Sequence, residues 1–274
     1  PLPGAIHMWI LRAFGAGARF VCTYRYRQPL FGSELYHKGL AETDGVTPSP
    51  GGREYAQAMR DVIELRKHYD PNAREPQSYA ARRTAFLISY DSRWDISNHK
   101  QTTRWDTVGH WMRYYRALKS MMAPVDVLTA ERDFSHYPFV IAPAYQLIDQ
   151  DLVGRFNQYA QNGGHLVLTC RTGQKDPPGH LWEAPWAAPI YPLIGARIPF
   201  YDVLPVEVNG HVTADGKTYA WGAWADVLGP DAGTEVLAQY ADQFYAGRAA
   251  AITHKLGRGT VTYIGVDTLD GELE

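Results

Sequence analysis

The chain has 274 residues, 45% of them hydrophobic and 20% charged, with a formal net charge of -2 and a pI near 6.6. This composition excludes a disordered chain and gives enough apolar material for one large domain or two ordinary ones. The small net charge offers no electrostatic footprint for nucleic acid or an anionic membrane. No run of about 18 apolar residues is present to cross a bilayer.

The first residues, Pro-Leu-Pro-Gly, lack the basic start and long apolar stretch of a signal peptide. They also lack an initiator Met, as expected for a piece of a longer protein. Spacing at Ile6, Trp9, Ile10, Ala13 and Phe14 predicts a helix that Gly15 and Gly17 stop. A strand over Phe20–Tyr24 follows, then a Gly- and Pro-rich loop to about Gly52. Tyr55, Met59, Val62 and Ile63 predict a second helix ending near His68. Helix, strand, loop, helix is a fragment of an α/β barrel, and one strand with two helices cannot bury itself. The Pro-rich, aperiodic Asp70–Arg83 contains a linker, placed at 76–83.

From Thr84 a second rhythm begins. A buried strand covers Ala85–Tyr90, and Val108, Trp111, Met112, Tyr115, Leu118 and Met122 form a helical stripe. Short strands follow at Val125–Leu128 and Phe139–Ala142. Leu152, Val153, Phe156 and Tyr159 mark a helix closed by Gly163 and Gly164, before a strand at His165–Thr169. Alternation at this spacing predicts a parallel sheet with helices on both faces. Asp176–Pro199 reads as an excursion over the strand ends. Further strands, partly antiparallel, are expected at Val203–Val208, Glu235–Tyr240, Ala249–His254 and Thr260–Ile264.

The candidate site lies in the first loop, Gly32-Ser33-Glu34-Leu35-Tyr36-His37-Lys38-Gly39. It sets a carboxylate and an imidazole three residues apart, just past a strand end rich in Arg and Tyr. In a barrel of alternating strands and helices, such loops form the catalytic mouth. Glu34 accepts and His37 donates or accepts at neighbouring hydroxyls of one sugar ring, and charge-assisted bonds are the stronger class. An ordinary loop salt bridge is the competing reading. Tyr24 and Tyr26 flank the strand end on one face. Arg25 and Arg27 lie on the other, either lining the site's rim or forming an ion pair beneath the loop.

These residues carry a resemblance. Pro3-Gly4, the helix through Ala13-Phe14-Gly15-Ala16-Gly17-Ala18, the Tyr24-Arg25-Tyr26-Arg27 strand end and the Gly32-Ser33-Glu34-x-x-His37 loop together resemble the last barrel repeat of the family 42 glycoside hydrolases, the β-galactosidases. Leu166–Gly173 and Ala251–Gly265 resemble that family's middle domain, associated with trimerisation. The sequence departs from the pattern at Tyr26, where Trp is expected.

The resemblance implies an α/β fold: the C-terminal fragment of a (β/α)8 barrel, then a flavodoxin-like or class I amidotransferase-like α/β domain. It implies a division into 1–75 (last barrel repeat), 76–83 (linker), 84–268 (trimerisation domain) and 269–274 (start of a following segment). It implies a β-galactosidase hydrolysing terminal non-reducing β-D-galactosides with retention, Glu34 and His37 binding galactose, and self-association as a homotrimer. Retaining hydrolysis needs two carboxylates about 5 Å apart. In the family both are glutamates at earlier strand ends, so no catalytic residue is assigned here. Glu42, Glu54 and Glu64 are not candidates, and those on the helix read as solvated charges.

Two other readings come from different classes. One is a non-catalytic assembly module without hydrolase activity of its own. The other is an amidotransferase-like enzyme using Cys170 at a strand-to-loop elbow, with His254 as a later partner. Leu168 and Thr172 flank that Cys where such an elbow favours glycine, which argues for an inert buried thiol. The chain holds only two cysteines, Cys22 and Cys170, both in apolar strand-like runs. So few thiols predict a reducing, cytoplasmic compartment. Ten histidines share no metal-ligand spacing, so neither metal nor cofactor is expected. Gly15-Ala-Gly-Ala follows a helix and precedes a strand, the wrong order for a dinucleotide fingerprint.

Overall fold

The computed structural model describes residues 2–70 and 72–273, in two compact units, Pro1–Arg74 and Glu75–Glu274. The first unit holds two helices, α1 (Ala5–Gly15) and α2 (Pro50–Lys67). Ser49 caps α2 by accepting the Gly52 N–H at 3.0 Å, and Pro50 begins the helix, where a missing N–H costs nothing. Gly4 offers α1 no side-chain cap. Instead the Glu54 carboxylate on α2 accepts the Gly4 and Ile6 N–H groups at 2.7 and 3.0 Å, an acid placed at a helix N-terminus. Ile10, Ala58 and Val62 are buried in this unit.

The expected strand Phe20–Tyr24 is not formed. A strand exists only as a ladder, and among the described residues of this unit nothing lies beside it to pair. Cys22, expected in an apolar strand, is accordingly exposed. Order resumes three residues on. Leu40 and Ala41 donate to the Arg25 and Tyr26 carbonyls at 3.0 and 2.7 Å, and Arg27 bridges Ala41.

The second unit opens on α3 (Gln77–Ala80), one turn of helix within the stretch expected as a linker. Arg83 ties that stretch down through Glu75 (2.9 Å) and Asp126 (2.6 Å). Then come β1 (Thr84–Leu87), α4 (Tyr90–Asn98), α5 (Thr107–Ser120), β2 (Val125–Leu128), β3 (Phe139–Ala142), α6 (Gln150–Gln161) and β4 (His165–Thr169). After the excursion, which ends in the short helix α7 (Tyr191–Ile194), follow β5 (Ala196–Asp202), β6 (Gly210–Ala214), β7 (Lys217–Pro230), β8 (Glu235–Tyr240), β9 (Ala249–Leu256), β10 (Gly259–Ile264) and β11 (Val266–Thr268).

All strands join one sheet. Its first half runs β2-β1-β3-β4-β10, every pair parallel. This is the flavodoxin-like order 2-1-3-4-5 with β10 as fifth strand. Alternation sorts the two faces. Ala85, Leu87, Val140, Ala142, Leu166 and Leu168 pack with Leu152 and Phe156 of α6 and Leu193 of α7. Phe86 and Ile141, one residue out of phase, pack with Tyr114 and Leu118 of α5. Helices therefore cover both faces, as alternation predicts. Beside α5 the sheet leaves an apolar groove of about 640 Å³ against Phe139, Val167 and Ile264.

The second half is antiparallel. Pairings β7–β6, β6–β8, β8–β9 and β9–β7 close a ring. Val212, Trp221, Ala238, Tyr240 and Ala251 of these strands form one core cluster. Two sequence expectations fail here. The strand expected at Val203–Val208 lies earlier, at β5, because Pro205 has no N–H to give a ladder. The 14-residue β7 was not foreseen. Residues 221–228 are all buried, so they show no alternation to read. The strand expected through Tyr90 stops at Leu87, since Ser89 accepts the Ser92 N–H at 3.0 Å and starts α4.

Candidate functional site

The loop carrying Glu34 and His37 is shaped by close backbone approach. A Cβ at Gly39 would strike the Tyr26 carbonyl and the Arg27 backbone at 2.7 Å, and one at Gly52 would overlap the Leu40 carbonyl. Ser49 Oγ donates to the Gly39 carbonyl at 2.6 Å. The loop is thereby pinned to the residues beside the strand end and to the start of α2.

Within it the His37 N–H donates to the Glu34 carbonyl at 2.9 Å, closing one turn. This turn brings the two candidate side chains together, with His37 Nδ1 3.9 Å from Glu34 Oε1. The other carboxylate oxygen is fully engaged. Oε2 accepts from the Tyr24 hydroxyl and from the Arg25 guanidinium, each at 2.6 Å. Arg25 also donates to the Tyr24 hydroxyl and lies over its ring. The Tyr24 hydrogen bond, with the charges of Arg25 and His37, holds the Glu34 carboxyl below the ordinary glutamate range. The result is a fixed anion with one oxygen turned toward a half-exposed imidazole.

Arg25 is thus the ion-pair partner of Glu34. Tyr24 works with it on the same carboxylate, not on an opposite face as strand alternation had implied. Arg27 crosses Gly45, where an added Cβ would come within 2.9 Å of its Cδ, and the Tyr26 hydroxyl donates to the Gly45 carbonyl at 3.2 Å. Phe20, Tyr24, Tyr26, Phe31 and Tyr36 all expose most of their surface in this unit.

Cys170 at the end of β4 is fully buried, which removes it from substrate. The elbow is real but shifted by one: Arg171, φ 67°, takes the left-handed conformation. A second constellation was missed in sequence. Thr169 Oγ1, His110 Nε2 (2.9 Å) and His110 Nδ1 with Asp267 (2.6 Å) have the order of a hydrolytic triad. All three are buried, and Thr169 Oγ1 already accepts the Ala144 N–H at 2.8 Å. They join β4, α5 and β11 as structure. Among the described residues no group of three or more His, Cys, Asp or Glu is placed to hold a metal ion.

The first unit is a barrel-type helix–loop–helix carrying the Glu34–His37 pair, and the second a parallel sheet continued by an antiparallel ring. The family comparisons agree. Residues 82–273 match the β-galactosidase trimerisation domain and residues 1–65 the β-galactosidase family of glycoside hydrolase 42. The chain belongs to glycoside hydrolase family 42.

Among curated relatives it is 32% identical to β-galactosidase BgaH of Haloferax lucentense over 265 residues, 97% of this chain and 38% of that protein. It is 30% identical to β-galactosidase Bga of Halorubrum lacusprofundi, over 97% of this chain and 38% of the relative. The solved β-galactosidase of Halorubrum lacusprofundi superposes with a TM-score of 0.85 at 29% identity, covering 98% of this chain and 39% of that one. The enzyme of Bacillus circulans sp. alkalophilus shares the fold, with a TM-score of 0.88 at 22% identity over 99% of this chain and 40% of its own. The chain thus spans about 38% of the length of the curated relatives named here.

Proposed function

We propose that the protein of which this chain is part is a β-galactosidase that hydrolyses terminal non-reducing β-D-galactosides with retention. Residues 1–75 supply one wall of the galactose pocket, and 84–268 supply the contact for self-association. The observation that carries the reading is the Glu34 carboxylate, held on one oxygen by Tyr24 and Arg25 and leaving the other beside His37. Such a carboxylate accepts from a sugar hydroxyl at little cost in ordering, because its partners already fix its rotamer. His37, exposed at its ring, addresses the neighbouring hydroxyl.

Retention requires a nucleophile and an acid/base about 5 Å apart, and neither role is given to a residue of this chain. In the full-length enzyme, Glu34→Ala lowers kcat/KM on a chromogenic β-galactoside by about tenfold to a hundredfold, the loss of a hydrogen bond to a charged group. The thermal midpoint moves far less than turnover. An unaltered kcat/KM refutes the role.

The assembly reading is compatible with this one, because the chain alone then lacks turnover on the same substrate. Self-association is proposed as a closed homotrimer, supported by the description of the matched domain. A strict monomer in sedimentation at high concentration counts against it. A reducing, cytoplasmic setting is proposed from the low cysteine count, Cys22 and Cys170 in 274 residues.

A further inference from the structure

Over the carboxyl ends of β3 and β4 lies a cavity of about 330 Å³. Open α/β sheets bind ligands at this end of their strands, and the size falls within the range of small-ligand pockets. Its aromatic wall is a continuous stack. Trp186 lies on Tyr201 and Tyr201 on Trp224, each pair 4.6 Å apart. The Arg171 guanidinium follows, 4.4 Å from the Trp224 ring and 4.8 Å from that of Trp105.

The polar lining is incomplete. Gln146 and Gln174 are each 2% exposed, and Gln146 Nε2 donates to Gln174 Oε1 at 3.0 Å. Gln146 Oε1 and Gln174 Nε2 are left without partners. Reversing both amides leaves the same inventory, one carbonyl and one amino group side by side. Arg171 Nε and Trp186 Nε1 are two further buried donors without partners. Native proteins rarely leave buried polar atoms unmet, and here four belong to residues that line one cavity.

The charges, in contrast, are already answered. Lys175 Nζ lies 2.7 Å from Asp95 Oδ2. Arg171 gives its terminal N–H groups to the Lys100 and His99 carbonyls at 3.0 Å, with Asp226 bound to its backbone N–H. No carboxylate residue lines the cavity.

We propose that this cavity binds a neutral, monosaccharide-sized polyhydroxy compound, a hexose in ring form, through the Gln146–Gln174 pair and the Trp186 wall. Vicinal hydroxyls each donate and accept, which answers an adjacent carbonyl and amino group, and the C–H face of the ring suits aromatic surface. Paired charges disfavour an acid. At the elbow, where an α/β hydrolase presents its nucleophile, stands an arginine, so the site binds and does not turn over.

The test is an NMR titration of the 15N-labelled chain, reading the Trp186 indole N–H. The probes are D-galactose, D-glucose, D-galacturonate and L-glutamine. A neutral hexose shifts the resonance saturably, and galacturonate and glutamine bind at least tenfold more weakly. Gln174→Leu and the isosteric Gln174→Glu each weaken the hexose at least tenfold, while Glu34→Ala leaves this resonance's titration unchanged, which separates this site from the clamp above. No saturable shift in the unaltered chain overturns the proposal, whether or not either variant folds. So does tighter binding of galacturonate or glutamine, or a shift that survives both Gln174 variants.

Discussion

The two units of this chain, which spans about 38% of its curated relatives' length, bury very unequal shares of their apolar side chains. In Glu75–Glu274, β7 alone buries eight consecutive residues, and side chains as large as Trp105, Trp221 and Trp224 are almost wholly enclosed. Among the described residues of Pro1–Arg74 only a few small or branched ones are buried, while Phe20, Phe31 and Tyr36 stand at least 80% exposed. What holds the first unit is polar: the Glu54 and Ser49 caps, the His7–Asp61 pair at 2.5 Å, and the Glu34 cluster. Hydrophobic burial is the dominant favourable term in folding and surface ion pairs contribute little. Rigidity in this chain therefore belongs to the sheet, and the candidate sugar clamp sits where backbone approach and hydrogen bonds, more than packing, hold the geometry.

Amide hydrogen exchange on the intact chain gives the largest contrast. Amides of β4 and β10 exchange at rates set by global opening, and those of residues 20–40 exchange orders of magnitude faster. Comparable protection in both breaks the comparison.

Next is Asp226→Ala. Asp226 accepts from Trp224 Nε1, the Tyr263 hydroxyl and the Arg171 N–H. Removing this acceptor strands three buried donors, at about 1–3 kcal/mol each, read as a lower denaturation midpoint in urea. Burial raises the Asp226 pKa, so the sign runs opposite to a surface acid: its titration favours the folded state at low pH, and this contribution fades as pH rises through the native value.

A matched pair of caps sharpens the contrast further. Asp149 accepts the Leu152 N–H at 2.7 Å, as Ser49 does for Gly52. Asp149→Ala costs about 1 kcal/mol and registers in global unfolding. Ser49→Ala removes a similar bond, together with the Ser49 Oγ donation to the Gly39 carbonyl, yet registers as local fraying of α2 and of the loop it pins, seen by exchange and not by the midpoint.

The smallest effect concerns pH. Glu34 titrates below the ordinary glutamate value of 4.5 because Tyr24 donates to it. On the role proposed for Glu34, galactose binding by the full-length protein is expected to persist as pH falls through that value and to be lost only below it. Tyr24→Phe moves the loss to higher pH, and an unmoved profile removes Tyr24 from the clamp.

The legibility of the sequence follows the same division. The parallel half was readable because β1, β3 and β4 are short apolar runs alternating with amphipathic helices such as α6, whose Leu152, Phe156 and Tyr159 keep the expected spacing. β7 was hidden because burial on both faces erases period two, and Gly222 and Asp226 interrupt the apolar run. Phe20–Tyr24 misled in the other direction: its composition is that of a strand, but a ladder needs a neighbour that composition does not record. At the site, the spacing of Glu34 and His37 was visible. The engagement of Glu34 by both Tyr24 and Arg25 was not, since alternation places those two residues apart.

The closed β7–β6–β8–β9 ring has a consequence for how the sheet meets other chains. A ring has no open margin, so unpaired N–H and C=O groups lie elsewhere: along β5 and β11, each paired on one side to β7, and along β2, where the parallel row ends. The β2 margin is only four residues long and carries Asp126, gripped by Arg83 and by the Tyr137 hydroxyl at 2.9 Å. A short, charged border of this kind resists edge-to-edge stacking, so exchanging Asp126 for Val should leave a protein that folds but clumps on standing.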